Sequence, residues 1–515
     1  MMSVAIATPT AEQIAQLAQE NISLKATNAV LESSLKQMEL LVEKLRFQLA
    51  QLNRRQFGSS AEGLAQLGLW VPEAEPENPS QPVATTLVPA HERAKPVRRP
   101  LPDDLPREVI EIDLAQEHKR CPCCNGERQV IGEEVSEKLD IVPAKMTVLQ
   151  YRRKKYACGK CAGEVQCAPM PAQIIEQGLA TPGLLAHVAI AKFCDHLPLA
   201  RQERVFARHG IEIPRSSLTD WMLATGQAVS PVVQRMGECV KSNDIIGSDD
   251  TVLPWQNERS GKTTTARLWA WRTEICEGKA IIVYEFTADR SAQHPQEFLQ
   301  GWSGYLQADA YSGYDGLFGN GKIIEVGCMA HWRRKLFDVA KAAKTPGFAH
   351  EMIERIRDLY AIEREAKERG LDPAARKLLR QEHAPEILEG IRGRLEEHLP
   401  KVLPEGPLAK AIGYGLNQWT ALNRYLEDGR LEIDNNAIER AMRPVALGRR
   451  NFLFVASERG GHAAANLYSL VESAKACGLN PYAYLRDVLT RLPTTKAKDI
   501  DTLLPHLWRP IIDSA

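Results

Sequence analysis

Three acidic residues stand where carboxylates could act together. Asp249 ends one β-patterned run, Asp309 follows another, and Glu439 lies in Asp434-Asn435-Asn436-Ala437-Ile438-Glu439-Arg440. Phosphoryl transfer on a nucleic-acid backbone uses two divalent cations about 3.5–4 Å apart to clamp the attacking and leaving oxygens. Carboxylates hold Mg²⁺ for that work, with water and substrate oxygens completing the octahedron. A single acid of this kind is more often a solvated or helix-capping residue, so the reading rests on all three. Asp250 rivals Asp249, but successive strand residues alternate between faces, so it should point away. Glu432 and Asp434 are weaker rivals for the third place. Asp434 can cap the helix that carries Glu439, and Glu439 shares a face with Asn435, Asn436 and Arg443.

Cysteines give a second chemistry. Cys121-Pro122-Cys123-Cys124 is followed after 33 residues by Cys158-Gly159-Lys160-Cys161. Two C-x-x-C pairs let four thiolates converge on one zinc, with Cys121, Cys124, Cys158 and Cys161 as ligands. Cys123 could replace Cys124, and Cys167 is spare. Four thiolates leave no open position, so such a zinc is structural. Cys328-Met329-Ala330-His331 offers one more Cys/His pair, either a partial metal site or simply core.

Positive charge clusters in two places. From Ile141 to Cys161 there are six basic residues and no acid, among them Arg152, Arg153, Lys154 and Lys155. Such a run suits phosphate contact, or keeps a solvated ribbon edge from aggregating. Arg440, Arg443, Arg449 and Arg450 follow Glu439 without an acid until Asn451. Arginine forks match phosphate geometry. Arg333, Arg334 and Lys335 follow His331 on one expected helix and are further candidates to face DNA.

The elements that position these residues are legible in pattern. Residues 11–57 carry Leu17, Leu24, Leu31, Met38, Leu45 and Leu52 at seven-residue spacing, with Ile14, Asn21, Asn28, Leu35, Val42 and Leu49 at the other seam position. That predicts a coiled coil, and the two seam asparagines favour a parallel dimer over a helix packed on its own chain. Residues 58–107 form a linker, with nine prolines between Pro72 and Pro106. Residues 108–172 read as the zinc ribbon, and 173–240 as helices compatible with a helix-turn-helix around His209-Gly210. Residues 241–455 read as Ile245–Pro254, Thr265–Glu274 and Ala280–Thr287 in strands, a helix over Ser291–Gln300, strands Gly304–Ala308 and Ile323–Gly327, and a helix from about Cys328. The order β-β-β-α-β-α-β-α is that of a ribonuclease-H-like fold. About a hundred residues separate His331 from Glu439, too many for one loop, so a helical insertion is expected at about 340–430, with helices over Phe348–Arg369, Pro373–His383 and Pro385–Leu399. Residues 456–515 read as a turn at Gly460-Gly461, a helix over Ala463–Cys477, and a last helix from Asn480-Pro481.

Composition bounds the class. The 515 residues carry 65 Lys+Arg against 65 Asp+Glu, with 44% hydrophobic residues and 11 cysteines. The balance excludes a uniformly basic binder and a strongly acidic solvating chain, though not local basic patches. The length predicts several domains. No run reaches the ~18 apolar residues of a membrane helix, and no secretory signal is visible. The odd cysteine count suits a reducing cytoplasm.

Taken together, these motifs resemble transposases of the insertion-sequence-66 family, a group of DDE transposases, over essentially the whole chain. The resemblance is carried by the N-terminal zipper ending in Arg54-Arg55-Gln56-Phe57-Gly58, the cysteine module and Arg201-Gln202-Glu203-Arg204. It continues in Asp249-Asp250-Thr251, Ala308-Asp309-Ala310-Tyr311-Ser312-Gly313-Tyr314, the Asp434 to Arg440 segment, Leu447-Gly448-Arg449-Arg450-Asn451-Phe452-Leu453-Phe454 and Pro481-Tyr482-Ala483-Tyr484-Leu485. Asn125 stands where glycine is usual in the family, and Cys123 is additional. The resemblance implies Asp249, Asp309 and Glu439 as an acidic triad holding two Mg²⁺ (or Mn²⁺), with cleavage at element ends and transfer into target DNA. The Cys328/His331 pair resembles a C-x-x-H element of several DDE families, in which His331 would contact the scissile phosphate or organise Asp309. Expected partners are DNA, a second copy through the coiled coil, and two small accessory proteins encoded beside it. The rival readings are a DNA-binding regulator with an inactive catalytic domain, and a related nuclease.

Overall fold

A computed structural model of the chain describes residues 11–57, 146–156, 166–176, 178–256, 261–276, 278–319, 321–343 and 346–510. The proline-rich linker and the candidate zinc ligands Cys121, Cys123, Cys124, Cys158 and Cys161 lie outside the described residues. The chain divides into two units, and residues 146–152 belong to the smaller one. There Arg152 Nε donates to Gln150 Oε1 at 3.1 Å.

In the larger unit, α1 (Ala11–Phe57) is one unbroken helix. Its seam residues Leu24, Leu31, Leu35, Met38, Leu45 and Leu49 are all more than half exposed within the chain. A two-residue ribbon follows, β1 (Lys155–Tyr156) antiparallel to β2 (Gln166–Cys167). Lys154 O accepts from Ala168 N, and Arg153 donates to Ala168 O at 3.3 Å.

Four helices come next: α2 (Pro182–Phe193), α3 (Leu199–Arg208), α4 (Arg215–Ala228) and α5 (Ser230–Lys241). Thr181 caps α2, its side chain accepting from Leu184 N. The turn between α3 and α4 passes through Gly210 at φ +76°, a conformation that a residue with a Cβ adopts only under strain. The Arg201-to-Arg204 motif locks this corner. Gln202 is buried and donates to the carbonyls of Val188 and Leu197, while Glu203 accepts from Arg215 N at the start of α4. Arg201 and Arg204 stay exposed.

The central sheet has the order β5-β4-β3-β6-β7. Strands β3 (Ile245–Gln256), β4 (Thr263–Cys276) and β5 (Lys279–Thr287) are antiparallel neighbours, and β6 (Gly304–Gln307) and β7 (Ile323–Val326) run parallel to β3. Two short helices, α6 (Gln293–Phe298) and α7 (Asp315–Phe318), join β5 to β6 and β6 to β7. Trp269 and Trp271 of β4 are fully buried, and Trp271 stacks on Phe298 of α6 at 4.2 Å.

After β7, α8 (Met329–Ala342) leads into α9 (Phe348–Glu368), α10 (Pro373–His398), α11 (Pro407–Asn417) and α12 (Trp419–Asn423). The two helices expected around Pro385 form one, α10, with Pro385 inside it. A single proline removes one helical hydrogen bond, and buried Leu379, Ala384, Leu388, Ile391 and Leu395 keep the helix in the core it shares with α8 and α9. Arg380, fully buried, pairs with Glu363 of α9 at 2.7 Å.

The chain ends in α13 (Asn436–Phe452), α14 (Glu458–Ala476) and α15 (Pro481–Arg491). The turn expected at Gly460-Gly461 is instead the first turn of α14, capped by Ser457, whose side chain accepts from Gly460 N. The glycines serve packing there: a Cβ on Gly461 would lie 2.4 Å from the Phe286 ring. Helix α14 also seals the free edge of β5. Ser473 and Ser469 hydroxyls accept from Ile282 N and Tyr284 N at 2.8 Å, satisfying amides an edge strand would leave open. Among the described residues no helix is long and apolar enough to cross a membrane.

Candidate active site

Asp249 lies within β3 rather than at its end, because β3 continues to Gln256. Its place near Asp309 comes from unequal pairing. The β3–β4 ladder runs from Gly247↔Arg272 to Gln256↔Thr263, but the β3–β6 ladder stops at Gly247↔Gln307. Asp249 therefore emerges just beyond the point where β6 ends. Asp309 stands two residues past that same end.

Helix α13 is brought to this place by hydrogen bonds from the residues around its start. Gln307 at the end of β6 donates to the carbonyls of Glu432 and Asp434. Asn435 donates through its side chain to Ser248 O at 3.0 Å and through its backbone N–H to Cys328 Sγ at 3.2 Å. Met329 N donates to Ile433 O. Asp434 accepts from Asn436 N at 3.0 Å, as a residue just ahead of a helix should, and from the Tyr360 hydroxyl of α9 at 2.8 Å. The helical insertion thus holds the segment from which Glu439 projects one turn later.

Asp249 senses both of the other carboxyl groups, and Glu439 senses Asp309. Burial, and then the Asp309 and Glu439 charges, push Asp249 well above the usual carboxylate range. Burial lifts Asp309 to about 6 against the pull of Arg290. Burial lifts Glu439 to about 7 against the pull of Arg334, whose guanidinium lies 3.4 Å away. Glu439 Oε1 is buried and has no hydrogen-bond partner among the described residues. Three acids with raised affinity for protons, one with an orphaned oxygen, are a donor set that a divalent cation would complete.

The rivals are engaged elsewhere. Asp250 is held by Arg267 at 3.0 Å and Arg290 at 2.7 Å. Glu432 is forked by Arg376 at 2.9 Å, and Asp434 is spent on Tyr360 and the start of α13. Cys328 is buried, and His331 Nδ1 lies 3.4 Å from Glu439 Oε1. His331 therefore faces Glu439. Burial and the nearby Arg334 and Lys335 charges hold its imidazole down to about 4, so it is neutral near pH 7.

The basic residues divide. Arg334 contacts Glu439 directly, and Arg449 donates to Thr251 Oγ1 at 3.0 Å and Val252 O at 2.6 Å, tying α13 to β3. Arg449 is thus engaged inside the fold, where sequence suggested a DNA contact. Arg440 and Arg450 are exposed on α13, and Arg333 and Arg443 are half-buried. Arg152 to Lys155 are exposed. One site residue had no sequence signal: Arg290, which bridges Asp250 and Asp309 (3.7 Å) and lies 3.8 Å over the Tyr311 ring. Tyr311 donates in turn to Arg290 O.

The family model described as "Transposase IS66 family" matches residues 177–463, and that of the "IS66 C-terminal element" matches 469–506. A "zinc-finger binding domain of transposase IS66" matches 118–162, and "Transposase C of IS166 homeodomain" matches 44–110. Among curated proteins the chain is similar to "Uncharacterized protein y4jD" of Sinorhizobium fredii (strain NBRC 101917 / NGR234), 37% identical over 79% of this chain and 81% of the relative. From the same organism, "Uncharacterized protein y4qI" is 38% identical over 78% and 75%, and "Uncharacterized protein y4hP" 32% over 92% and 88%.

Proposed function

The chain belongs to the IS66 family of transposases, and from that premise we propose that it cuts DNA at the ends of an insertion sequence and joins them to target DNA. The observation that supports this reading is that Asp249 senses the charges of Asp309 and Glu439 beside the end of β6, on a mixed five-stranded sheet that we read as ribonuclease-H-like. Asp249, Asp309 and Glu439 would hold two Mg²⁺ (or Mn²⁺). Bound there, the ions would supply Lewis-acid stabilisation to the attacking and leaving oxygens of an in-line displacement.

The chain's own residues would prepare that site. Arg334 neutralises the outer oxygen of Glu439, and Arg290 holds Asp309 through its bridge to Asp250. His331, neutral near pH 7, sits against Glu439 with a ring nitrogen able to accept or pass a proton at the scissile phosphate. Exposed Arg440 and Arg450 on α13, with Arg333 and Arg443, would lie along the DNA backbone. Arg152, Arg153, Lys154 and Lys155, next to a zinc site built by Cys121, Cys124, Cys158 and Cys161, would bind the element end together with the α3–α4 corner. Self-association through α1 is supported by its exposed seam. We place the reaction in the cytoplasm, with two small accessory proteins as candidate partners.

The test is Asp309→Asn in a cleavage assay on DNA carrying the element end, with Mg²⁺. Strand cleavage should be lost while end binding stays within a few-fold of wild type. Wild-type-like cleavage by that variant would remove Asp309 from the site. End binding by the wild-type protein with no metal-dependent cleavage would favour a regulator.

A further inference from the structure

We propose that Cys328, His331 and Glu439 form a binding site for a zinc-class transition metal, distinct from the cysteine module and sharing one ligand with the acidic triad. One sulfur, one nitrogen and one oxygen of these residues all lie within 4.8 Å of one another. Zinc bonds of about 2.0–2.3 Å in a tetrahedron place neighbouring donor atoms roughly 3.3–3.7 Å apart. His331 Nδ1 and Glu439 Oε1, at 3.4 Å, already have that separation.

Two further observations point to a ligand. Both of those atoms are buried and make no hydrogen bond among the described residues, although they lie 3.4 Å apart. A buried polar atom left unsatisfied loses its hydration without compensation, so plain core packing does not explain placing two together. Cys328 Sγ already accepts the Asn435 backbone N–H, the kind of outer hydrogen bond that steadies a metal-bound thiolate. Cys328 is the N-cap of α8 and His331 lies in its first turn, while Glu439 comes from α13, so a metal here would join the two helices.

The donor set selects the metal. Thiolate and imidazole favour zinc-like ions, whereas Mg²⁺ takes oxygen. On binding, Cys328 releases its thiol proton to solvent, and the fourth position falls to water. Because Glu439 would be shared, occupancy here withdraws Oε1 from the triad, and zinc should inhibit Mg²⁺-dependent cleavage. That consequence rests on the proposed role of Glu439; the site itself does not.

The test is the zinc content of the full-length protein beside Cys328→Ser and His331→Gln, after equal zinc loading and gel filtration. Each variant should hold one equivalent fewer than wild type, and cobalt-loaded protein should lose part of its thiolate-to-cobalt absorption in Cys328→Ser. Circular dichroism checks folding, and His331→Gln, at a partly exposed position, decides if the serine variant fails to fold. Equal zinc in wild type and folded His331→Gln overturns the proposal. Because the readout is metal content, loss of this site and failure of the transposase reading remain distinguishable: Asp309→Asn should keep the zinc in either case.

Discussion

Asp250 Oδ1 lies 2.7 Å from Arg290 Nη2, and the Asp250 side chain is only 1% exposed. The second of two adjacent aspartates therefore serves as a buried anchor for a cation that also reaches Asp309. Removing the buried partner leaves Arg267 and Arg290, both partly exposed, to water and to Asp309, so the cost is below that of a fully buried pair, about 1–3 kcal/mol. Asp250→Ala should destabilise the protein by that order in denaturant unfolding and weaken Mg²⁺ binding as Arg290 turns fully to Asp309. A loss below about 1 kcal/mol would show the anchor to be dispensable.

The metal-free site should give the protein a characteristic pH dependence. Glu439 holds its proton up to about 7 in the folded chain, against 4.5 for the ordinary side chain. The folded state then binds more protons than the unfolded one, so this group's contribution falls as pH rises from about 4.5 to 7, on the order of 3 kcal/mol at most. His331 acts in the opposite direction: its pKa falls from 6.5 to about 4, so its contribution is present above 6.5 and is lost as pH falls toward 4. Glu439→Gln should flatten the first slope and His331→Gln the second in chelated buffer. Saturating Mg²⁺ should raise the melting temperature more at pH 8 than at pH 6, because protons compete for the same oxygens. An unchanged profile in Glu439→Gln would sink this account.

Arg440 and Arg449 share a helix but should fail differently. Arg440 is exposed, so Arg440→Ala should leave folding intact, weaken DNA binding across sequences, and reduce the slope of log affinity against log salt by about 1. Arg449→Ala removes donors from Thr251 and Val252 and should lower the unfolding free energy by about 1–3 kcal/mol. Equal salt slopes for wild type and Arg440→Ala would take Arg440 off the DNA path.

Gly461→Ala sets two effects against each other. Alanine gains about 1 kcal/mol in helix propensity. Its Cβ would meet the ring of buried Phe286 at 2.4 Å, and overpacking costs about 1–3 kcal/mol. Phe286 is hemmed in by Trp255 and His462, so the ring has little room to yield. The clash should win, with a net loss of about 1–2 kcal/mol in thermal unfolding. A stabilised variant would mean that the ring relaxes freely.

Much of the molecule could be read from local pattern. Heptad spacing is a property of neighbouring residues, and it marked α1 from end to end. Strand and helix alternation between Ile245 and Met329 follows from turn residues and apolar runs, and most boundaries fell within two residues. Local rules failed where packing overrode them. Pro385 reads as a helix boundary, yet the core shared by α8, α9 and α10 carries the helix through it. Gly460-Gly461 reads as a turn, yet only glycine lets α14 approach Phe286.

Local pattern named the residue types at hand: three acids at β6 and its neighbours, a C-x-x-H pair, and arginines downstream of Glu439. Which of them face one another was set by long-range packing. Asp249 and Asp250 differ by one step of strand alternation, and Asp249 senses Asp309 and Glu439 while Asp250 is held by Arg267 and Arg290. His331 and Glu439 are separated by more than a hundred residues, and no local rule brings them to 3.4 Å. That contact is made by Asn435, Gln307 and Tyr360, whose hydrogen bonds span β3, β6 and α9 and exist only once the sheet and the helical insertion have closed on each other.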